Sequence, residues 1–265
     1  MITLSAFDLS IAALLVLAMA ALSWRMQLGL AGSLLIAATR TVVQLLLIGL
    51  VLKTLFEHID LLWVGGIALV MLLAAGREVM ARQQRRFTGW WGFGMGTGAM
   101  FVSSFAITVL ALNTIINTDP WYTPQYAVPL LGMMLGNTMS GVALALDRLT
   151  ATAWQQRAVI EQRLMLGATR LEAITEIRRD AMRSGMMPII NSMAAAGLVS
   201  LPGMMTGQIL AGSPPMEAVK YQILIMFLIS AGTGFGVTAA LWLASKRLFD
   251  ERHRLRLNLL SAPRK

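Results

Sequence analysis

The sequence predicts an all-α polytopic membrane protein of seven transmembrane helices, with its N-terminus outside and its C-terminus in the cytoplasm. Two observations carry that prediction. Seven runs are apolar and long enough to cross a bilayer: Phe7–Trp24, Ala38–Leu55, Leu61–Met80, Phe93–Ile116, Tyr126–Leu146, Pro188–Ala211 and Tyr221–Ala244. A span needs about 20 mostly apolar residues. The second observation is charge. Alternate connections place Arg25, Arg40, Arg77, Arg82, Arg85, Arg86, the seven arginines from Arg148 to Arg183 and the seven basic residues from Lys246 onward on one side. The other side receives only Lys53 and Lys220, with Asp8, Glu57, Asp60, Asp119 and Glu217. Basic residues are retained on the cytoplasmic side.

Composition agrees. At 57% hydrophobic and 13% charged residues, the chain has too little polar surface for a soluble domain of 265 residues. The net charge of +9 suggests nucleic acid at first sight, but the basic residues flank the spans. There they meet anionic lipid headgroups, so membrane lipid is the expected partner and nucleic acid is not. There is no cysteine, which removes disulfides, thiolate ligands and a Cys nucleophile. His58 and His253 fall on opposite sides of the membrane. The first run lacks the positive leader of a signal peptide, and Arg25 follows it, so it is expected to remain as a span. The chain is expected to form one transmembrane domain over 1–265.

Five connections are short. The exception is a cytoplasmic stretch of about 40 residues, 147–187, between the fifth and sixth runs. It predicts two amphipathic helices, about Thr152–Leu166 and Leu171–Met186, from apolar residues at three- and four-residue spacing. Gly167 suits the left-handed residue that closes a helix. Thr169 and Glu172 form a capping box that opens the next. Leu164 and Leu166 stand as exposed apolar residues before the bend. Such a hairpin either lies on the inner leaflet or docks into a soluble partner's groove.

Spacing bears on that choice. Glu161, Gly167 and Ile177 stand six and ten residues apart, which resembles the EAA loop that ABC-transporter permeases insert into their ATPase. Gln162-Arg163 and Arg179-Asp180 depart from that pattern, which has two alanines and Leu-Pro at those places. A broader resemblance covers nearly the whole chain. Pro129-Leu-Leu-Gly-Met-Met-Leu-Gly-Asn-Thr-Met139, Leu166-Gly-Ala-Thr169, Gly197-Leu-Val-Ser-Leu-Pro-Gly-Met-Met-Thr-Gly207, Gly212, Val219-Lys-Tyr-Gln-Ile223, and Arg40 with Gln44 resemble the FetB family of permeases. The resemblance implies the membrane subunit of an ABC transporter of the bacterial inner membrane, paired with a separate FetA-type ATPase and described as exporting iron. A plant branch linked to aluminium tolerance has been associated with UDP-glucose instead. The resemblance also implies that Glu161, Leu164, Leu166, Gly167, Thr169, Glu172 and Ile177 couple to the ATPase.

The chain itself has no Gly-Lys pair and hence no phosphate-binding loop. It is not expected to be an enzyme or to bind a cofactor, Mg-ATP being held by the partner ATPase. Seven spans are few for a whole pathway, so two permease copies are expected to assemble as a homodimer.

Polar residues inside spans are costly and often mark pathways. Arg40 and Gln44 share a helix face, and Arg40 is either a snorkelling interfacial residue or a gating or anion contact. Asn137, among Gly132, Gly136 and Gly141, either bonds a neighbouring helix or borders the pathway. The methionine pairs Met133-Met134 and Met204-Met205 are either flexible packing or soft ligands. Pro202 breaks a helical ladder, so the sixth run is expected to be kinked or discontinuous, exposing carbonyls near Gln208. Gly94-x-Gly96-x-Gly98 and Gly232-x-Gly234-x-Gly236 are expected to serve close helix packing.

Overall fold

A computed structural model of the protein describes residues 5–57 and 60–262. His58, Arg264 and Lys265 lie outside the described residues. The chain packs as two compact units that divide between its second and third helices.

The first unit is a pair of helices, α1 (Ala6–Arg25) and α2 (Ala31–Glu57). Ser5 opens α1 with a capping box, its hydroxyl accepting the Asp8 N–H while the Asp8 carboxylate accepts the Ser5 N–H at 2.8 Å. The turn between the helices uses two left-handed residues, Gln27 and Gly29. Both helices are apolar around most of their circumference, the pattern of a segment solvated by hydrocarbon. Inside α2 the Thr39 and Thr41 hydroxyls donate to the carbonyls of Leu35 and Ala37, each at 2.9 Å, which satisfies them without water.

The second unit is a bundle built around α5 (Pro124–Gln155). Around it stand α3 (Leu61–Arg82), α4 (Trp90–Ile116), α8 (Thr175–Ala195) and α10 (Pro215–Arg247). Between α5 and α8 lie the short helices α6 (Arg157–Met165) and α7 (Arg170–Ala173), and α9 (Gly203–Leu210) precedes α10. A close crossing joins α5, α8 and α10. A Cβ on Gly185 would stand 2.7 Å from the Gly141 carbonyl oxygen, and one on Gly141 would stand 2.9 Å from that of Gly185. Val237 and Thr233 of α10 close the same junction. The expected packing role of the glycine runs holds at Gly232, filled by Met134, at Gly236, filled by Thr138 and Ser103, and at Gly96 against Val79. Gly94 and Gly98 face open space. The helix α4 contains two π-helical turns, Phe101–Phe105 and Leu112–Ile116.

Among the described residues six helices are long and apolar enough to cross a membrane: α1, α2, α3, α4, α5 and α10. The run Pro188–Ala211, expected as a seventh span, is not one helix. Its first part completes α8, with Pro188 inside it. The chain then leaves the helix at Ala196, Gly197 turns left-handed, and Leu198 and Val199 project at the tip, before Pro202 caps α9. A proline nitrogen cannot donate to the preceding turn, and a left-handed glycine ends a helix. The two together produce the expected discontinuity.

The connection from 147 to 187 also differs from expectation. The first hairpin helix does not start at Thr152, because α5 runs on without a break to Gln155 and only then offsets into α6. The extension is held from outside. The Thr150 hydroxyl lies 2.8 Å from the Arg85 carbonyl, the Arg85 guanidinium sits 4.0 Å over the Trp154 ring, and Asp147 accepts the Gln84 N–H at 2.6 Å. The α3–α4 connection thus braces α5, and the C-terminal tail braces that connection. Thr88 donates to Leu259, Ser261 donates to Arg86, and Phe87 pairs with Leu260.

Candidate functional site: the hairpin after α5 and the polar residues of the apolar helices

The hairpin rises from the bundle on α5 and returns through α8. Its turn is a Schellman motif: Ala168 N–H donates to Arg163 and Gly167 N–H to Leu164, at 3.1 and 3.0 Å. That geometry demands a left-handed residue, supplied by Gly167 at φ 92°. The predicted capping box is present. The Glu172 carboxylate accepts the Thr169 N–H at 2.7 Å and the Thr169 hydroxyl accepts the Glu172 N–H. The Thr169 N–H, followed by the Thr169 hydroxyl, holds the Glu172 carboxyl below the usual carboxylate range. Arg163 of α6 donates to Glu176 of α8 at 2.8 Å across the bend. That hydrogen bond, followed by the charge of the same arginine, lowers the Glu176 carboxyl as well.

Inward, Ile160, Ala173, Ile174, Ile177 and Ala181 are buried in the main core of the bundle. Outward, Met165 and Leu166 are 81% and 82% exposed. This corrects one expectation: Leu164 is half-buried against the core, and Met165 takes its place beside Leu166 in the exposed knob. Ile177 is a core residue rather than a surface one, and Glu161 is exposed on α6. Glu161, Gly167, Thr169, Glu172 and the knob are therefore gathered at one projecting end, while Leu164 and Ile177 support it from within.

The residues expected along a pathway do not form one cluster. Arg40 and Gln44 lie on the exposed surface of α2, in the first unit. On α5, Met133 and Asn137 share with Gly136 and Ser140 a face that is exposed or half-buried among the described residues. The Asn137 amide donates to the Met133 carbonyl at 2.8 Å, so it bonds within its own helix and to no neighbouring helix among the described residues. Arg82 reaches Ser140 at 3.4 Å on the same face. Met134 belongs to the opposite, packed face and is fully buried against Gly232; a helix turns 100° per residue, so adjacent methionines face different surroundings. Pro202, Met204, Met205 and Gln208 are half-buried on and before α9, which packs on α10. The Gln208 side-chain oxygen is buried without a hydrogen-bond partner among the described residues.

Sequence reasoning missed the hydroxyls of the bundle interior. Ser104, Thr108, Thr138 and Thr233 are buried and have no hydrogen-bond partner among the described residues. Their signal was available as Ser and Thr inside apolar runs, a costly placement in hydrocarbon. Gly185 was missed as well. Among the described residues no group of three His, Cys, Asp or Glu side chains could hold a metal ion.

Comparison with known proteins agrees with this architecture. Residues 6–249 match the family described as "Uncharacterised protein family (UPF0014)". The chain is 38% identical over 243 residues to the "UPF0014 membrane protein slr1647" of Synechocystis, covering 90% of this chain and 91% of the relative. It is 32% identical over 253 residues to the "Probable iron export permease protein FetB" of Escherichia coli, covering 94% and 93%. It is 35% identical over 225 residues to the "UPF0014 membrane protein STAR2" of rice, covering 84% and 77%. No solved structure matches. With its apolar helices and this near full-length similarity, the chain is a multi-pass membrane protein belonging to the UPF0014 family.

Proposed function

We propose that this chain is the membrane subunit of an ABC transporter that exports iron, or a related metal cation, from the cytoplasm. A separate FetA-type ATPase, holding Mg-ATP, docks on the hairpin. Two permease copies form the transport unit, in a bacterial inner membrane with the N-terminus outside and the hairpin inside. The observation that carries the reading is the hairpin. Its apolar residues Ile160, Ile174 and Ile177 are already buried in the protein's own core, so it does not need a leaflet to cover an apolar face. Its most exposed apolar residues are the pair Met165-Leu166, with Val159 and Leu171 exposed to a lesser degree, and that pair is set on a turn fixed by a Schellman motif and a capping box. A small rigid apolar projection fits a groove in a partner. The name of the Escherichia coli relative supports the cargo and its direction.

A hard cation takes oxygen ligands. With no three-ligand group of His, Cys, Asp or Glu among the described residues, the cargo is held by neutral oxygens: Gln208, hydroxyls and carbonyls freed around Pro202. Such a site binds weakly and releases readily. Replacing Met165 and Leu166 together with serine should abolish co-purification of the ATPase while leaving the unfolding temperature of the permease unchanged. Retained co-purification contradicts docking at the knob. A strain lacking the gene should accumulate iron. Unchanged metal content together with a lost flux of a sugar nucleotide contradicts the cargo and favours the plant-like branch.

A further inference from the structure

Between α8 and α10, at the end of the bundle from which the hairpin projects, lies a cleft of about 340 Å³. Thr175, Arg178, Arg179, Met182, Thr238 and Leu241 line it. No carboxylate is among them. Neighbouring arginines are paired, Arg163 with Glu176 at 2.8 Å and Arg183 with Asp180 at 3.7 Å. Arg178 has no ion pair among the described residues, and its Nε is buried without a hydrogen-bond partner. A half-buried guanidinium left this way is costly unless an anion completes it. Arg179 adds a second positive charge to the same lining.

The hydroxyls narrow the ligand. Thr175 donates to the Leu171 carbonyl and Thr238 to the Gly234 carbonyl, each at 2.7 Å. Both therefore offer the cleft lone pairs rather than protons. The lining thus places two acceptors beside the two guanidiniums, a match for an anion that carries hydroxyl donors next to its phosphate. From Thr238 the exposed surface of α10 continues as Phe235 and Trp242, three and four residues away on the same helical face. The Lys246 ammonium sits 3.6 Å over the Trp242 ring. Tryptophan beside a snorkelling lysine marks the level of the headgroups. An amphipathic ligand fits this surface: phosphate on the two arginines, its headgroup on the side of Trp242 and Lys246, and an acyl chain past Phe235 in the opposite direction.

We propose that the cleft binds the headgroup of an anionic phospholipid, with phosphatidylglycerol as its type, in the leaflet on the hairpin side. Such a lipid joins α10 to α8, the helix into which the hairpin runs. This site is independent of the cargo. The test is native mass spectrometry of the purified full chain titrated with phosphatidylglycerol, phosphatidylcholine and inorganic phosphate. The wild-type protein should retain phosphatidylglycerol at least about tenfold better than phosphatidylcholine, the scale of one charge-assisted hydrogen bond. Arg178→Gln and Arg179→Gln should each reduce that preference. Arg183→Gln, which removes the same charge from the same helix outside the cleft, should not. Millimolar inorganic phosphate should leave the lipid bound. Full retention by both cleft variants overturns the proposal, as does an equal loss in Arg183→Gln. Displacement of the lipid by inorganic phosphate overturns the lipid as the source of the phosphate. Should Arg178→Gln fail to fold by circular dichroism, Arg179→Gln decides alone.

Discussion

Replacing Gly185 with alanine tests the triple crossing that holds the bundle together. The new methyl would stand 2.7 Å from the Gly141 carbonyl oxygen, 2.9 Å from the Ala145 Cβ and 3.2 Å from the Val237 Cγ1. Ordinary contacts between such atoms are about 3.5 Å or more, so α5 and α8 must part by roughly 0.8 Å. The first two obstacles are a backbone oxygen and the Cβ of a helix, and neither can swing away. Overpacking of this kind costs about 1–3 kcal/mol, with the upper part of that range expected against rigid atoms. Alanine also gains about 1 kcal/mol over glycine inside a helix. The net is a loss of about 1–2 kcal/mol, or a fall of roughly 2–8 °C in Tm for a chain of this size. Gly66→Ala supplies the counterpart, since a Cβ there meets nothing within 4 Å and only the helix gain of about 1 kcal/mol remains. Intrinsic tryptophan fluorescence during heating, in one detergent and at one scan rate, reads both, and the chain has seven tryptophans. Equal Tm values for Gly185→Ala and the wild type, or an equal fall in Gly66→Ala, refute the crossing.

Three further outcomes are expected. Gly167→Val forces a β-branched residue into the left-handed region at φ 92°, costing about 1 kcal/mol or more locally; ATP hydrolysis should then uncouple from transport, and a variant with normal coupling refutes the assigned turn. The hairpin should loosen in acid. The folded-state carboxyls of Glu172 and Glu176 are lowered, by the Thr169 N–H and by Arg163 respectively. Their stabilisation is therefore complete above the ordinary glutamate pKa, about 4.3, and is lost as pH falls through the lowered folded values. Hydrogen-exchange protection of residues 163–176 reads this, and Glu172→Gln with Glu176→Gln should abolish the acid loss; constant wild-type protection down to pH 3 contradicts it. Finally, single cysteines at Met133, Asn137, Met204 and Met205 should react with water-soluble thiol reagents in at least one nucleotide state, whereas cysteine at Met134 should stay protected. The chain has no native cysteine to interfere. Protection at all four positions in every state rules out the pathway.

What was legible in the sequence was local. The left-handed Gly167, the Thr169–Glu172 box and the break at Pro202 each follow from one residue's backbone preference or one side chain's reach along the chain. The apolar runs located α1 to α5 and α10 for the same reason, because hydrocarbon solvation acts on each segment separately. What was missed depends on partners remote in sequence. The helix α5 continues past Thr152 because Arg85 and the α3–α4 connection support it, and no local pattern announces that support. Leu164 lies one helical turn after the buried Ile160 and packs with it against the core, which leaves Met165 in the exposed knob. Met134 and Met133 were inseparable as letters, yet one meets Gly232 and the other does not. The pairing of the C-terminal tail with residues 86–88 has no periodic signature at all.

The most direct test of the central claim is reconstitution. The purified permease and its cognate ATPase should be placed in proteoliposomes with the hairpin outward, and ferrous iron uptake followed with and without Mg-ATP. Export from the cytoplasm then appears as uptake into the vesicle. ATP-dependent accumulation, lost in the Met165→Ser, Leu166→Ser double variant, is the predicted result. ATP hydrolysis by the assembled complex without movement of any metal ion contradicts the account.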